Sequence, residues 1–172
     1  MKNILIASIL IILLGCNRNP EITEVINNQK IISEIDKFIT DSNNKKKVKF
    51  IVVSGTDDSN KNVTELLFAN QKPTIINENS KRINDEVKNE KYGYFKYKDY
   101  EFLVSERLNK TFKLKYENFD KMKDHFIMKD NYPEKAEVAK EKWRTMYLKY
   151  NKEKDSVEFS NISEISMSDY AN

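Results

Sequence analysis

The sequence predicts an α+β fold, with an N-terminal helix followed by a mainly antiparallel sheet of hairpins and with short helices on one face. Apolar residues first recur at helical spacing and later alternate with polar residues at a period of two, as in strands. Most segments between the predicted strands are short enough for hairpins, which favours antiparallel pairing. Charged residues make up 33% of the chain and aromatic residues 11%, which is typical of a globular domain.

The first predicted element is a helix from about residue 20 to residue 40. Asn19 is placed as its N-cap, Pro20 fits its first turn, and the polar run 41–44 ends it. Its apolar stripe consists of Ile22, Val25, Ile26, Ile32, Ile35 and Ile39. Because most apolar stripes are core faces, we expect the helix to pack on the domain's own sheet. The alternative is that the stripe is an interaction face.

The strands predicted downstream come mostly in pairs. They span residues 48–53, 64–69, 73–76, 92–97, 100–105, 111–116, 143–150 and 156–159. The stretch YGYFKYKDYEFLVSE predicts the clearest hairpin, with its turn at Lys98 and Asp99. Short helices are predicted at 118–128 and 133–142, and a further one within 77–91. The order of elements therefore supports one sheet built largely from hairpins.

The extreme N-terminus carries a different pattern. Lys2 precedes an apolar run at residues 4–14 that only Ser8 interrupts, and Gly15 ends it. A run of about 11 residues is too short to span a bilayer as a helix, which takes roughly 20. A basic start, a short apolar core and a small residue at the end are typical of a secretory signal peptide. We therefore expect residues 1–15 to be a signal peptide.

Directly after this run comes the only cysteine of the chain, Cys16, in the sequence LLGC. This stretch resembles the lipobox of bacterial lipoproteins, and the resemblance covers only about the first 16 residues. It implies cleavage before Cys16 and attachment of a diacylglycerol to its sulfur. The two acyl chains would anchor the protein stably to a membrane of the cell envelope. Because Asn17 is not the aspartate that retains such proteins at the inner membrane of enteric bacteria, an outer-membrane position is expected in a diderm cell.

The sequence thus divides into four predicted parts. Residues 1–15 are the signal peptide, 16–19 a lipidated tether, 20–165 a single α+β domain and 166–172 a polar C-terminal tail. The formal net charge of the chain is only +3 at pH 7, which does not favour a nucleic-acid partner. The expected partners are the membrane, through the lipid anchor, and a protein or glycan of the envelope.

Three polar groupings are candidate chemical sites, and for each a structural role is favoured over a chemical one. His125 is the only histidine, and neither a partner cysteine nor a G-x-S-x-G motif is present. The loop GTDDSNKN lacks the glycine and glutamate of a calcium-binding loop, although it carries Asp57, Asp58, Ser59, Asn60 and Asn62. Glu134, Glu137 and Glu141 share one face of a predicted helix among lysines. We therefore predict no catalytic residue, no metal site and no cofactor.

The aromatic hairpin is the most unusual local feature and the predicted binding site. Alternation places Tyr92 and Tyr94 on one face of the strand and Phe95 and Tyr97 on the other. If helices cover only one face, one of these pairs lies near solvent, where flat rings bind sugars, peptides or proteins. The alternative is that the cluster, with Tyr100 and Phe102, serves core packing.

Two classes of function remain open from the sequence. The first is a non-catalytic envelope lipoprotein that binds a protein or glycan, for example as an inhibitor or an immunity-type partner. The second is an envelope hydrolase that uses scattered carboxylates. Because no recognisable catalytic constellation is present, we favour binding.

Overall fold

The computed structural model describes residues 28–41, 49–58, 61–75, 87–129 and 142–166. Its helices include α1 (Gln29–Thr40) and α2 (Phe119–Met122), with 3-10 turns at Glu106–Leu108 and Lys123–His125. The strands are β1 (Phe50–Asp58), β2 (Val63–Ala69), β3 (Thr74–Ile75), β4 (Lys91–Tyr97), β5 (Tyr100–Ser105), β6 (Tyr116–Asn118), β7 (Ile127–Met128), β8 (Lys142–Asn151) and β9 (Ser156–Ser166). In this part of the chain, no helix has both the length and the apolar character needed to cross a bilayer.

Seven of the strands form one sheet in the order β6-β4-β5-β1-β2-β8-β9. All neighbours in this sheet are antiparallel except β1 and β5, which are parallel. The hairpins β1–β2, β4–β5 and β8–β9 account for its antiparallel character, and β3 and β7 form a separate parallel pair. The predicted α+β fold with a mainly antiparallel sheet is confirmed.

The β4–β5 hairpin turns at the predicted residues, Lys98 and Asp99, without a longer loop. Tyr97 pairs with Tyr100, so that only Lys98 and Asp99 connect the strands. Lys98 adopts a φ of 51°, in the left-handed region that such tight turns require. A lysine costs some strain at this position, and the ion pair between Lys98 Nζ and Asp36 Oδ1 at 2.6 Å ties the turn to α1.

Helix α1 is shorter than predicted, because it begins at Gln29. Asn28 has extended backbone angles, and its side-chain oxygen accepts hydrogen bonds from the N–H groups of Lys30 at 2.9 Å and Ile31 at 3.3 Å. This N-cap starts a new helix, so the prediction of a continuous helix from residue 20 is wrong. The predicted cap Asn19 and the apolar residues at 22, 25 and 26 lie outside the described residues. The predicted end is confirmed, since α1 stops at Thr40.

The apolar stripe of α1 packs on one face of the sheet, as predicted. Its buried residues Ile31, Ile35, Phe38 and Ile39 join a core with residues from β1, β2, β4, β5 and β8. A second, smaller core lies against the opposite face. It consists of Phe50, Ile75, Tyr92, Leu103, Phe119, Met122 and Phe126. The long helix and the short helix α2 therefore cover different faces of the sheet.

Two predicted elements near the middle of the chain differ from the structure. Residues 111–116 do not form the predicted strand, because the N–H groups of Thr111 and Phe112 both donate to the Leu108 carbonyl and close a turn. Pairing starts only at Tyr116. The predicted helix at 118–128 ends early, because Phe126 is extended and the Ile127 N–H donates to the Pro73 carbonyl. The chain thus enters β7 instead of continuing as a helix.

The remaining boundaries differ less. Strand β1 extends through Asp58, beyond the predicted strand end at residue 53, and β9 extends to Ser166. The closing β8–β9 hairpin is confirmed, with the chain reversing at 152–155. Residues 87–89 are helical, within the predicted segment 77–91. The predicted helix at 133–142 falls on residues outside the described ranges, apart from Lys142, which begins β8.

Candidate binding face

The aromatic hairpin lies between two covered faces. Tyr92 is only 8% exposed in the second core, and Phe95 is only 5% exposed in the first. Tyr94 and Tyr97, on opposite faces, are half-buried. The expectation that one of the two pairs lies exposed is therefore not met, because α1 covers one face and the segment 119–128 covers the other. Tyr100 is half-buried and Phe102 fully buried, which agrees with the packing interpretation of the cluster.

The hydroxyl groups of this hairpin also bond within the domain. Tyr92 donates to the Val87 carbonyl at 3.1 Å, and Tyr97 donates to the Asp36 carboxylate at 2.8 Å. Burial, with the nearby Glu90 charge, raises the pKa of the Tyr92 hydroxyl, so this group remains a donor at neutral pH. Each hydroxyl thus joins the sheet to a neighbouring segment, which is a structural role for these side chains.

His125 lies over Tyr94, on the same side of the sheet as the second core. The two ring centroids are 4.1 Å apart, and the ring of Phe50 lies 6.4 Å away. Desolvation by these neighbours lowers the pKa of His125, while the charges of Glu101 and Asp124 raise it and those of Lys72 and Lys96 lower it. The imidazole is half-buried as part of the cover.

Asp57 of the GTDDSNKN loop is a buried structural carboxylate. Its side chain is 3% exposed and accepts hydrogen bonds from the Thr64 hydroxyl, from the hydroxyl and N–H of Thr111, and from Lys152. Burial alone would raise the pKa of Asp57, but these bonds and the Lys152 charge outweigh it and lower the pKa. Asp57 therefore joins β1, β2, the turn at 109–112 and the β8–β9 turn at one end of the sheet.

The other sequence candidates contribute no assembled site within the described structure. Asp58 pairs with Lys61, and the Asn62 side chain donates to Glu153 at 3.2 Å. Cys16, Ser59, Asn60, Glu134, Glu137 and Glu141 lie outside the described residues. Within the described ranges, no group of three or more His, Cys, Asp or Glu side chains is placed to hold a metal ion.

Within the described residues, a partly exposed surface lies on strands β2, β8 and β9, on the same side of the sheet as the second core. Strand pairing places Leu67, Tyr147 and Asn161 in one row across these strands. The next row consists of Glu65, Lys149 and Phe159. Leu67 is 36% exposed and Phe159 49% exposed. We call these six residues the open face.

Aromatic and charged groups alternate across the open face. The rings of Tyr147 and Phe159 lie 5.9 Å apart at an angle of 57°, and Lys149 Nζ lies 5.8 Å from the centroid of the Tyr147 ring. Lys149 also forms an ion pair with Glu65 at 2.9 Å. Hydrogen bonds from Lys149 and from Tyr147 lower the pKa of Glu65. The result is a sheet surface that carries two neighbouring aromatic rings and an ion pair beside them.

Sequence reasoning did not single out the open face. Leu67 lies in the run LLFA, which is typical of a buried strand, and Phe159 was placed at the end of a short strand. Strand β9 instead continues to Ser166, with a register irregularity opposite Lys149 and Tyr150. The alternation of side chains along a strand does predict that Tyr147 and Lys149 share a face. The pairing that adds Leu67 and Phe159 depends on contacts distant in sequence.

No protein-family model, curated protein or solved structure matches the chain.

Proposed function

We propose that this protein is a lipid-anchored lipoprotein of a bacterial cell envelope whose domain binds a protein partner through the open face. The anchor is supported by the stretch LLGC after a short apolar run. Binding is supported by one structural observation above all: Leu67, Tyr147 and Phe159 form a contiguous, partly exposed apolar surface on three adjacent strands. Exposed aromatic surface of this kind is typical of interaction sites.

The shape of the surface favours a protein over a small ligand. Small-molecule sites are usually concave and enclose most of their ligand. The open face is instead one side of a sheet, and its polar residues Glu65, Lys149 and Asn161 lie beside the rings. A partly apolar patch with polar groups beside it resembles the composition of protein interfaces.

The buried carboxylates argue against the hydrolase alternative. A general acid in a hydrolase needs a carboxyl group whose pKa is raised by an apolar environment. Glu34 and Asp57 are both largely buried, and hydrogen bonds overcome desolvation and lower the pKa of each. Both groups are therefore ionised at neutral pH and occupied by internal partners, as in structural ion pairs.

The start of α1 limits how far the domain can lie from the proposed anchor. The first described residue, Asn28, lies next to the β8–β9 turn, where its side chain and that of Lys30 bond to Asp155. About 12 residues separate Asn28 from Cys16, which limits their separation to about 40 Å. The end of the sheet that carries this turn is thus within tether reach of the membrane, and the open face extends away from it along the strands.

The test uses tagged full-length protein in its own cells, with chemical crosslinking before membranes are isolated. Cys16→Ser is expected to lose incorporation of a clickable fatty acid and to leave the membrane fraction or remain uncleaved. The double variant Leu67→Ser with Phe159→Ser is expected to stay membrane-bound but lose its crosslinked protein partner. Its melting temperature should change little, because partly exposed side chains contribute little to stability.

A matched control variant is Ile127→Ser with Met128→Ser. These side chains on β7 are 40% and 41% exposed, similar to Leu67 and Phe159, but lie outside the open face. The control should retain the partner. Equal loss of partner in both double variants would contradict a specific role for the open face. If purified envelope glycan binds the protein and no protein is crosslinked, the partner is a glycan and not a protein.

A further inference from the structure

The two outer edges of the sheet differ in length and protection. One edge is the three-residue strand β6, and the other is the eleven-residue strand β9. Among the described strands, only β8 pairs with β9. Residues 158–161 of β9 are exposed in succession. The outer backbone groups at this stretch are therefore accessible for pairing with another strand.

Strand β9 lacks the usual protection of an exposed edge. Natural edge strands are often short, or carry lysine or proline, which discourages pairing with another chain. The sequence SVEFSNISEIS contains no lysine, arginine or proline. Its two acidic residues already have cationic neighbours, because Glu158 lies 3.5 Å from Lys154 and Glu164 lies 3.2 Å from Lys142. A second strand would thus meet a neutralised edge.

Within the regular part of β9, the stretch 159–165 is symmetric about Ile162. The register irregularity leaves Phe159 opposite Lys149 and Val157 opposite Tyr150, so that regular pairing with β8 runs from Phe159 onwards. The midpoint of the stretch 159–165 is Ile162. When two copies pair antiparallel about this midpoint, Phe159 meets Ile165 of the other copy and Asn161 meets Ser163. Apolar residues then lie opposite apolar residues, and polar opposite polar.

We propose that two copies of this chain associate by antiparallel pairing of β9 with β9, centred on Ile162. Two neighbouring registers of this pairing are less favourable, for the following reasons. Centring on Asn161 places Glu158 opposite Glu164 in two symmetric positions, which costs stability. Centring on Ser160 places Glu158 opposite Ile162 and extends pairing across the irregularity. The Ile162 register avoids both problems.

This pairing joins the two seven-stranded sheets into one continuous sheet with a two-fold axis perpendicular to it. Residues directly opposite each other in an antiparallel pair lie on the same face. The open faces of both copies therefore become neighbours, with Phe159 beside Ile165 of the second copy on the same face. The association does not depend on the proposed lipid anchor or on the proposed partner.

Cysteine crosslinking tests both the pairing and its register. All variants are made in the full chain with Cys16→Ser, so that each introduced cysteine is the only thiol. Protein with Asn161→Cys is mixed with protein carrying Ser163→Cys in detergent and mildly oxidised. Directly opposite Cα atoms lie about 4.5–5.5 Å apart in an antiparallel pair, within the span of a disulfide. The mixture should give severalfold more disulfide-linked dimer than either protein alone.

A second pair and a control complete the design. A mixture of Phe159→Cys with Ile165→Cys should also crosslink, because these residues are opposite in the same register. Lys110→Cys, on an exposed turn outside β9, measures random thiol collisions. Crosslinking of Asn161→Cys with itself in preference to the mixture would overturn the register. Equal crosslinking of the β9 mixtures and Lys110→Cys would overturn the association itself.

Discussion

The two halves of one sheet face differ in whether their aromatic residues are covered. On β4, β5 and β1, residues Tyr92, Leu103 and Phe50 are buried beneath Phe119, Met122 and Phe126. On β2, β8 and β9, the open face carries Leu67 and Phe159 partly exposed. The residue types in the two halves are similar. Among the described residues, what differs is the short segment 119–128, which folds over the first half.

This difference shows that cover, and not aromatic content, decides which half is available for binding. The cover is small, and its apolar contacts come from a few side chains. The Phe126 ring lies edge-on to Tyr92 at 5.2 Å and to Phe119 at 5.1 Å. Because so few residues cover the aromatic hairpin, single substitutions can test the comparison directly.

The largest effect is expected from Phe126→Ala compared with Phe159→Ala. Phe126 is 5% exposed, and removing it from the cover should cost about 3–5 kcal/mol of unfolding free energy. Phe159 is on the open face, and its removal should cost less than about 1 kcal/mol. Urea denaturation of both variants measures the difference. Similar losses would show that the open face is as closely packed as the covered half.

An intermediate effect is expected when a hydroxyl group is removed from each half. Tyr92→Phe deletes the buried hydrogen bond to the Val87 carbonyl, which should cost about 1 kcal/mol. Tyr147→Phe deletes a hydrogen bond to Glu65 that is open to solvent, and its effect should be well below that of Tyr92→Phe because water replaces the bond. The same denaturation assay compares them. A larger loss from Tyr147→Phe would reverse the assignment of covered and open halves.

The sequence predicted best those elements that depend on local pattern. The β4–β5 hairpin follows from alternating aromatic residues, and its turn at Lys98 and Asp99 is confirmed. The helix start was wrong because Asn28 inside the periodic segment acts as an N-cap. The strand predicted at 111–116 has the alternation of Phe112, Leu114 and Tyr116, but a turn closed by Leu108 replaces it.

The candidate site was less predictable, because exposure depends on distant segments. Nothing near Tyr92 in the sequence indicates that Phe126 covers it, and nothing near Leu67 indicates that its half of the sheet is open. Asp57 is similar, since its partners Thr111 and Lys152 are 54 and 95 residues away. That Cys16 is lipidated is inferred from a local motif alone and stays a prediction.

The smallest effect concerns the pH dependence of the cover through His125. Its pKa is lowered in the folded protein, chiefly by desolvation, and has its ordinary value near 6.5 when unfolded. The unfolded chain thus binds more protons below this pH, so stability should be full above about pH 6.5 and decrease as the pH falls through the folded pKa. Because His125 is the only histidine, the difference in stability between urea denaturation at pH 7.5 and at pH 5.5 reports mainly on this group.

In His125→Phe, which keeps a ring over Tyr94, the decrease in stability between pH 7.5 and pH 5.5 should be smaller. Amide hydrogen exchange should locate the loss in residues 119–128 and not in β8 or β9. An equal decrease in the variant, or faster exchange across the open face alone, would show that the imidazole does not stabilise the cover.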